Sequence, residues 1–118
     1  MRRSSLAAII PLLLLFATGE AAAHAMLDHA EPRVGNKVAA MPREMTLWFT
    51  QKLEAAFSTI TVTDAAGKRV DTGKTRVNGN QMSVSLRSGG SGTYHVIWRV
   101  LSADTHTTDG SFTFQVGQ

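Results

Sequence analysis

Alternation is the strongest constraint on this chain. Met45, Leu47 and Phe49 are interleaved with Thr46, Trp48 and Thr50. Ile60 and Val62 sit among threonines, and Met82, Val84 and Leu86 among Gln81, Ser83, Ser85 and Arg87. Tyr94, Val96, Trp98 and Val100 make the longest row; Phe112, Phe114 and Val116 make the last. Successive side chains of an extended backbone point to opposite faces, so each row places one face of a strand on a core. No long 3.6-residue period competes with this pattern; Lys52 to Phe57 has room for a single helical turn. Turn signals separate the rows: Asp64-Ala65-Ala66-Gly67, the hairpin dipeptide Asn78-Gly79, and the Ser88–Gly92 run before Tyr94. Glu31-Pro32 and Met41-Pro42 punctuate the N-terminal part. About seven short strands with turns every 8–12 residues or so predict an all-β, immunoglobulin-like β-sandwich.

The first 23 residues do not fit that pattern. Arg2 and Arg3 open the chain, Leu6 to Ala17 is almost wholly apolar, and Ala21-Ala22-Ala23 supplies an A-x-A cleavage pattern. These are the three parts of a secretory signal peptide. A membrane-spanning helix needs about 20 apolar residues, and this run has roughly 12 before Gly19 and Glu20. The expected division is a cleaved signal at 1–23 and one small domain at 24–118.

Export limits the chemistry. The chain has no cysteine, so an exported domain must be held by its core alone, and thiolate metal sites and thiolate nucleophiles are excluded. Setting Arg2, Arg3 and Glu20 aside lowers the net charge from +3 to +2, spread along the chain, which argues against nucleic acid as a partner.

Cleavage after Ala23 would make His24 the N-terminal residue. A terminal histidine carries two nitrogen donors, the α-amine and ring Nδ1, which can chelate one metal ion. A terminal amine releases its proton near pH 8 and an imidazole near 6.5, so a metal displaces both protons at modest cost at neutral pH. On this stretch alone, chelation and an incidental cleavage position remain equally open. A second constellation, Asp104-Thr105-His106, lies between the last two rows, with Asp109-Gly110 read as the turn into the final strand. In extended backbone Asp104 and His106 would project to one side. Alone, D-x-H is more often a solvated polar pair, or an aspartate capping its loop, than a metal site. Added to His24, it completes one amine, two imidazoles and one carboxylate. Such an N3O set suits a square plane around Cu(II), which heads the divalent affinity order, whereas zinc prefers a tetrahedron.

The sequence here resembles a known family. His24-Ala25-Met26-Leu27, Leu47-Trp48-Phe49-Thr50, Glu54-Ala55-Ala56-Phe57, Trp98, Ser102–His106 and Gly110–Phe114 look like the CopC family of periplasmic copper-binding proteins, in the family's order. The resemblance implies a Greek-key β-barrel or sandwich whose first strand brings the N-terminus beside the Asp104–His106 loop. It implies His24 (amine and ring), Asp104 and His106 as Cu(II) ligands. It further implies a non-enzymatic periplasmic carrier that buffers copper or passes it to an inner-membrane copper transport protein of the CopD type. Three positions depart from the family pattern. Residues 51–80 hold neither Met nor His, so a separate Met-rich Cu(I) site is not expected. Met26 stands where members often have a third-position histidine, and Gln51 where they often have glutamate.

Other residues are read more plainly. His29 follows His24 by an odd spacing and is expected on the opposite face, as a surface histidine. Met45, His95, Trp48 and Trp98 are assigned to packing or strand structure, and Thr105, Thr107 and Thr108 to supporting hydrogen bonds around Asp104. Two other functional classes stay in view. One is an N-terminal-histidine copper monooxygenase, detectable by ascorbate-driven turnover on polysaccharide. The other is a sandwich interaction module that binds no metal.

Overall fold

Each alternating row lies in a strand of the computed structural model, which describes residues 24–117. The expected signal segment, residues 1–23, lies outside the described residues. The strands are β1 (Leu27–Glu31), β2 (Lys37–Val38), β3 (Glu44–Phe49), β4 (Thr59–Thr63), β5 (Asp71–Asn78), β6 (Gln81–Leu86), β7 (Gly92–Leu101) and β8 (Thr107–Val116). They form two four-stranded sheets, β1-β3-β6-β5 and β2-β8-β7-β4, all antiparallel except the short β2–β8 pair. The expected immunoglobulin-like sandwich is therefore the observed fold. The helical turn allowed at Lys52–Phe57 is a 3-10 turn at Ala55–Phe57.

The core is built from the predicted rows. Met45, Leu47 and Phe49 of β3 and Met82 and Val84 of β6, from one sheet, share a buried cluster with Ile60 and Val62 of β4, Val96 and Val100 of β7, and Phe114 of β8 from the other. Trp98 meets Phe49 edge-on, with ring centroids 5.1 Å apart, and Tyr94 stacks on Phe114 at 5.5 Å. Full burial of side chains this size contributes about 1.5–3 kcal/mol each, which is what holds a domain without disulfides.

Four expectations are corrected. Trp48 is not core: it is half-buried on the outer face of its sheet and stacks on His29, with centroids 4.3 Å apart and planes 6° from parallel. The alternation that buries Leu47 and Phe49 turns Trp48 outward. His29 is a surface residue as expected, but not by simple parity, because a bulge between Leu27 and His29 resets the register of β1. The β5–β6 hairpin turns at Gly79-Asn80, with Asn78 already paired to Gln81. Positive φ occurs there only at Gly79 (67°), the pattern of a type II′ turn. Asp109-Gly110 is not a turn; both residues lie inside β8, opposite Arg99 and Trp98. Gly110 is needed there because a Cβ would come within 2.5 Å of the Trp98 ring.

Three of the eight strands, β1, β2 and β5, were announced by no alternating row, and β5 is the longest of them. It is an edge strand of polar composition, and it enters at Asp71, a buried carboxylate where the chain crosses between sheets. That carboxylate accepts hydrogen bonds from the N–H groups of Val62 and Gly73, both at 2.8 Å, and pairs with Arg69 at 2.7 Å. Burial pushes the Asp71 carboxyl up, but the Arg69 guanidinium and the two N–H donors outweigh it and hold the group below the usual carboxylate range.

Candidate metal centre

The centre begins with the β7–β8 hairpin. Its ten residue pairs run without a slip from Gly92↔Val116 to Leu101↔Thr107, leaving residues 102–106 as the loop. The loop is a tight turn, not the extended segment expected from the D-x-H spacing. The Ser102 N–H donates to the His106 carbonyl (2.9 Å) and the Thr105 N–H to the Ser102 carbonyl (2.8 Å), and Thr105 takes a positive φ of 74°. Positive φ is unfavourable for a β-branched residue, so the surrounding hydrogen bonds must hold it there. Asp104 and His106 nevertheless meet, because the turn folds one toward the other: His106 Nδ1 lies 3.4 Å from Asp104 Oδ1.

Ser102 organises this turn. It has no exposed surface, and its hydroxyl donates to Asp104 Oδ1. That bond, aided by His106, holds the Asp104 carboxyl below the ordinary carboxylate range although the group is open to solvent. The assignment of support to the threonines is thus corrected in part. Thr105 donates to the Asp104 main-chain carbonyl, Thr108 serves the N-terminal strip, and the residue that fixes the Asp104 carboxylate is Ser102. The S-x-D spacing is a local signal that would have found it, since a serine hydroxyl readily bonds to a group two residues on. The loop is also braced from outside: Ala103 N–H donates to the Lys52 carbonyl (2.9 Å), Leu53 bridges Ser102, and Glu54 N–H donates to the Leu101 carbonyl (2.8 Å).

The N-terminal strip reaches the same end of the sandwich. Ala25 is fully buried, and its carbonyl accepts from Thr108 Oγ1 at 2.8 Å, tying it to β8. Met26 is tied to the other sheet: its N–H donates to Thr50 Oγ1 and its carbonyl accepts from Thr50 N–H, both at 2.9 Å. The strip therefore spans the gap between the sheets, and His24 lands on the hairpin loop. The His24 and His106 ring centroids are 4.7 Å apart, with planes tilted by 56°. His29 and His95, set aside as ligands, lie elsewhere: His29 on Trp48 and His95 in mid-β7 opposite Thr113.

Among the described residues, no three His, Asp or Glu side chains already stand in ligating geometry. In the full chain the His24 nitrogen is part of the peptide bond to Ala23 and is not a free amine. Two imidazoles and one carboxylate are close together, and each is partly exposed. The chemistry of the set suits a divalent ion with a strong preference for nitrogen.

A family model described as CopC domain matches residues 27–117. Protein YobA of Escherichia coli (strain K12) is 36% identical over 98 residues, covering 80% of this chain and 79% of the relative. Copper resistance protein C of Xanthomonas campestris pv. juglandis is 30% identical over 123 residues, covering 97% and 96%. Copper transport protein CutJ of Bacillus subtilis (strain 168) is 30% identical across this whole chain, which spans only 23% of that relative's length. Among solved structures, CopC from Methylosinus trichosporium OB3b is similar with TM-score 0.75 and 31% identity, over 80% of this chain and 94% of that one. PcoC, a methionine-rich copper resistance protein from Escherichia coli, is similar with TM-score 0.70 and 31% identity, over 80% and 99%.

Proposed function

The chain belongs to the CopC family, and from that premise we propose that it is a periplasmic Cu(II) carrier whose single site is completed by signal cleavage. Family membership supports copper as the ion bound. Removal of residues 1–23 frees the His24 amine, which chelates Cu(II) together with the His24 ring. The His106 imidazole and the Asp104 carboxylate fill the remaining positions of a square plane. Cu(II) is favoured because it heads the divalent affinity order for nitrogen donors and accepts planar geometry.

The observation that carries this reading is the approach of His24 to His106. Residues 82 positions apart bring their rings to 4.7 Å between centroids, beside a carboxylate that accepts a hydrogen bond from Ser102. Packing of hydrophobic strands does not require two imidazoles to meet at the solvent-facing end of a sandwich. The ligands are partly exposed, which suits loading and release more than permanent retention. Release to a CopD-type inner-membrane transport protein is the delivery step that fits. We read the protein as a carrier, not a monooxygenase, because Asp104 places a charged oxygen on the copper.

The test is titration of the mature protein with Cu(II) in a competing chelator. The expected result is one Cu(II) per chain, lost when His106 is replaced by alanine. Two equal sites, or none, would contradict the reading.

A further inference from the structure

Met26 is 58% exposed, although it sits between a fully buried Ala25 and a partly buried Leu27. Its backbone is fixed on both sides by Thr50, so the exposure belongs to an anchored strip. An apolar side chain held open to water forgoes the burial that its neighbours obtain. Along this strip His24 and Met26 flank Ala25: Ala25 is fully buried, Met26 is exposed and His24 is half-buried. Two residues of extended chain cover about 6.6 Å, a gap that an unbranched methionine with three rotatable bonds spans easily. The His24 ring itself lies against His106.

A thioether two residues from His24 is therefore within reach of the pair of imidazoles. Thioether sulfur is a soft donor that selects Cu(I), and imidazole serves either oxidation state. The carboxylate and amine that suit Cu(II) are harder donors, and Asp104 has an alternative partner ready in Ser102. We infer that the same end of the sandwich also binds Cu(I), through the His24 and His106 rings and the Met26 thioether, with Asp104 released to Ser102. This rests on the proposed Cu(II) site and extends it to the second oxidation state. It uses no residue of the 51–80 segment, so it is a different arrangement from a separate Met-rich site.

The experiment uses mature protein beginning at His24, the full chain after cleavage. Cu(I) is delivered without oxygen against a chromophoric Cu(I) chelator, and Cu(II) against a Cu(II) chelator, for wild type, Met26→Leu and Asp104→Asn. Leucine conserves volume at an exposed position, so folding is preserved. Met26→Leu is expected to weaken Cu(I) by about tenfold or more and leave Cu(II) within about threefold; Asp104→Asn is expected to do the reverse. A tenfold selective loss of Cu(I) lowers the potential of the bound copper couple by about 59 mV. X-ray absorption of the Cu(I) form is expected to show a sulfur neighbour that Met26→Leu lacks. Equal Cu(I) affinity of the two proteins, parallel loss of both oxidation states, or no sulfur neighbour overturns the inference. Wild type that binds Cu(II) but not Cu(I) overturns it alone; wild type that binds neither overturns the carrier reading beneath it.

Discussion

In the proposed site Ser102 acts through Asp104 and not as a ligand. Its buried hydroxyl fixes the Asp104 carboxylate from behind, as supporting hydrogen bonds around metal ligands generally do. Ser102→Ala should leave the fold intact and weaken Cu(II) by about tenfold, measured by chelator competition. It should also let the Asp104 carboxyl rise toward its ordinary range, visible by NMR titration of its side-chain carbon. Because the Asp104 carboxyl lies below the ordinary carboxylate range, it does not set the pH dependence near neutrality. That dependence comes from the imidazoles and the freed amine, whose protons must leave, so Cu(II) affinity should rise from pH 5 to about 8. A flat profile over that range would contradict nitrogen ligation. At this scale the sequence singled out Asp104 and His106 as a pair, and they do meet, but its reason for joining them was wrong. Extended backbone was assumed, whereas a turn with Thr105 at positive φ brings them together. Period-2 reasoning contains no information about such a turn.

At the scale of elements, β7 and β8 form the rigid stem that carries the loop. Gly110 lets the Trp98 ring cross β8 closely, so Gly110→Ala should cost roughly 1–3 kcal/mol in urea unfolding by overpacking. Asp71 secures the crossover from β4 to β5. Its folded pKa is depressed, so its stabilising contribution is present above the unfolded value near 4 and is lost as pH falls through the folded value. Asp71→Ala should therefore destabilise by about 2–3 kcal/mol at pH 7, with a smaller difference in acid. Equal loss at pH 7 and pH 3 would contradict this. Strands with a buried face were legible in the sequence, since Met45–Phe49 and Tyr94–Val100 write their burial as alternation. β5 was not, because an edge strand held by Asp71 and a hairpin turn shows no apolar row. Asp109-Gly110 was misread because a glycine placed for packing looks the same in sequence as a glycine placed for a turn.

For the whole molecule, the decisive feature is where the N-terminus lies. Ala25 is tied to one sheet through Thr108 and Met26 to the other through Thr50, so the strip closes the end of the sandwich and delivers His24 to the loop. Spacing along the chain could not reveal that meeting; only the likeness to a family suggested it, and the anchoring hydrogen bonds supply its physical cause. Loading with Cu(II) should then join strip and loop and raise the unfolding temperature, in proportion to the excess of ion over its dissociation constant. Thr108→Val should reduce this gain by freeing Ala25, measured by calorimetry with and without copper. The central claim is that a free amine at His24 completes the site. The most direct measurement compares the Cu(II) affinity of protein starting at His24 with that of protein carrying one extra glycine before it, every side-chain ligand being retained. A loss of about a hundredfold or more is predicted, and equal affinity of the two proteins would contradict the claim.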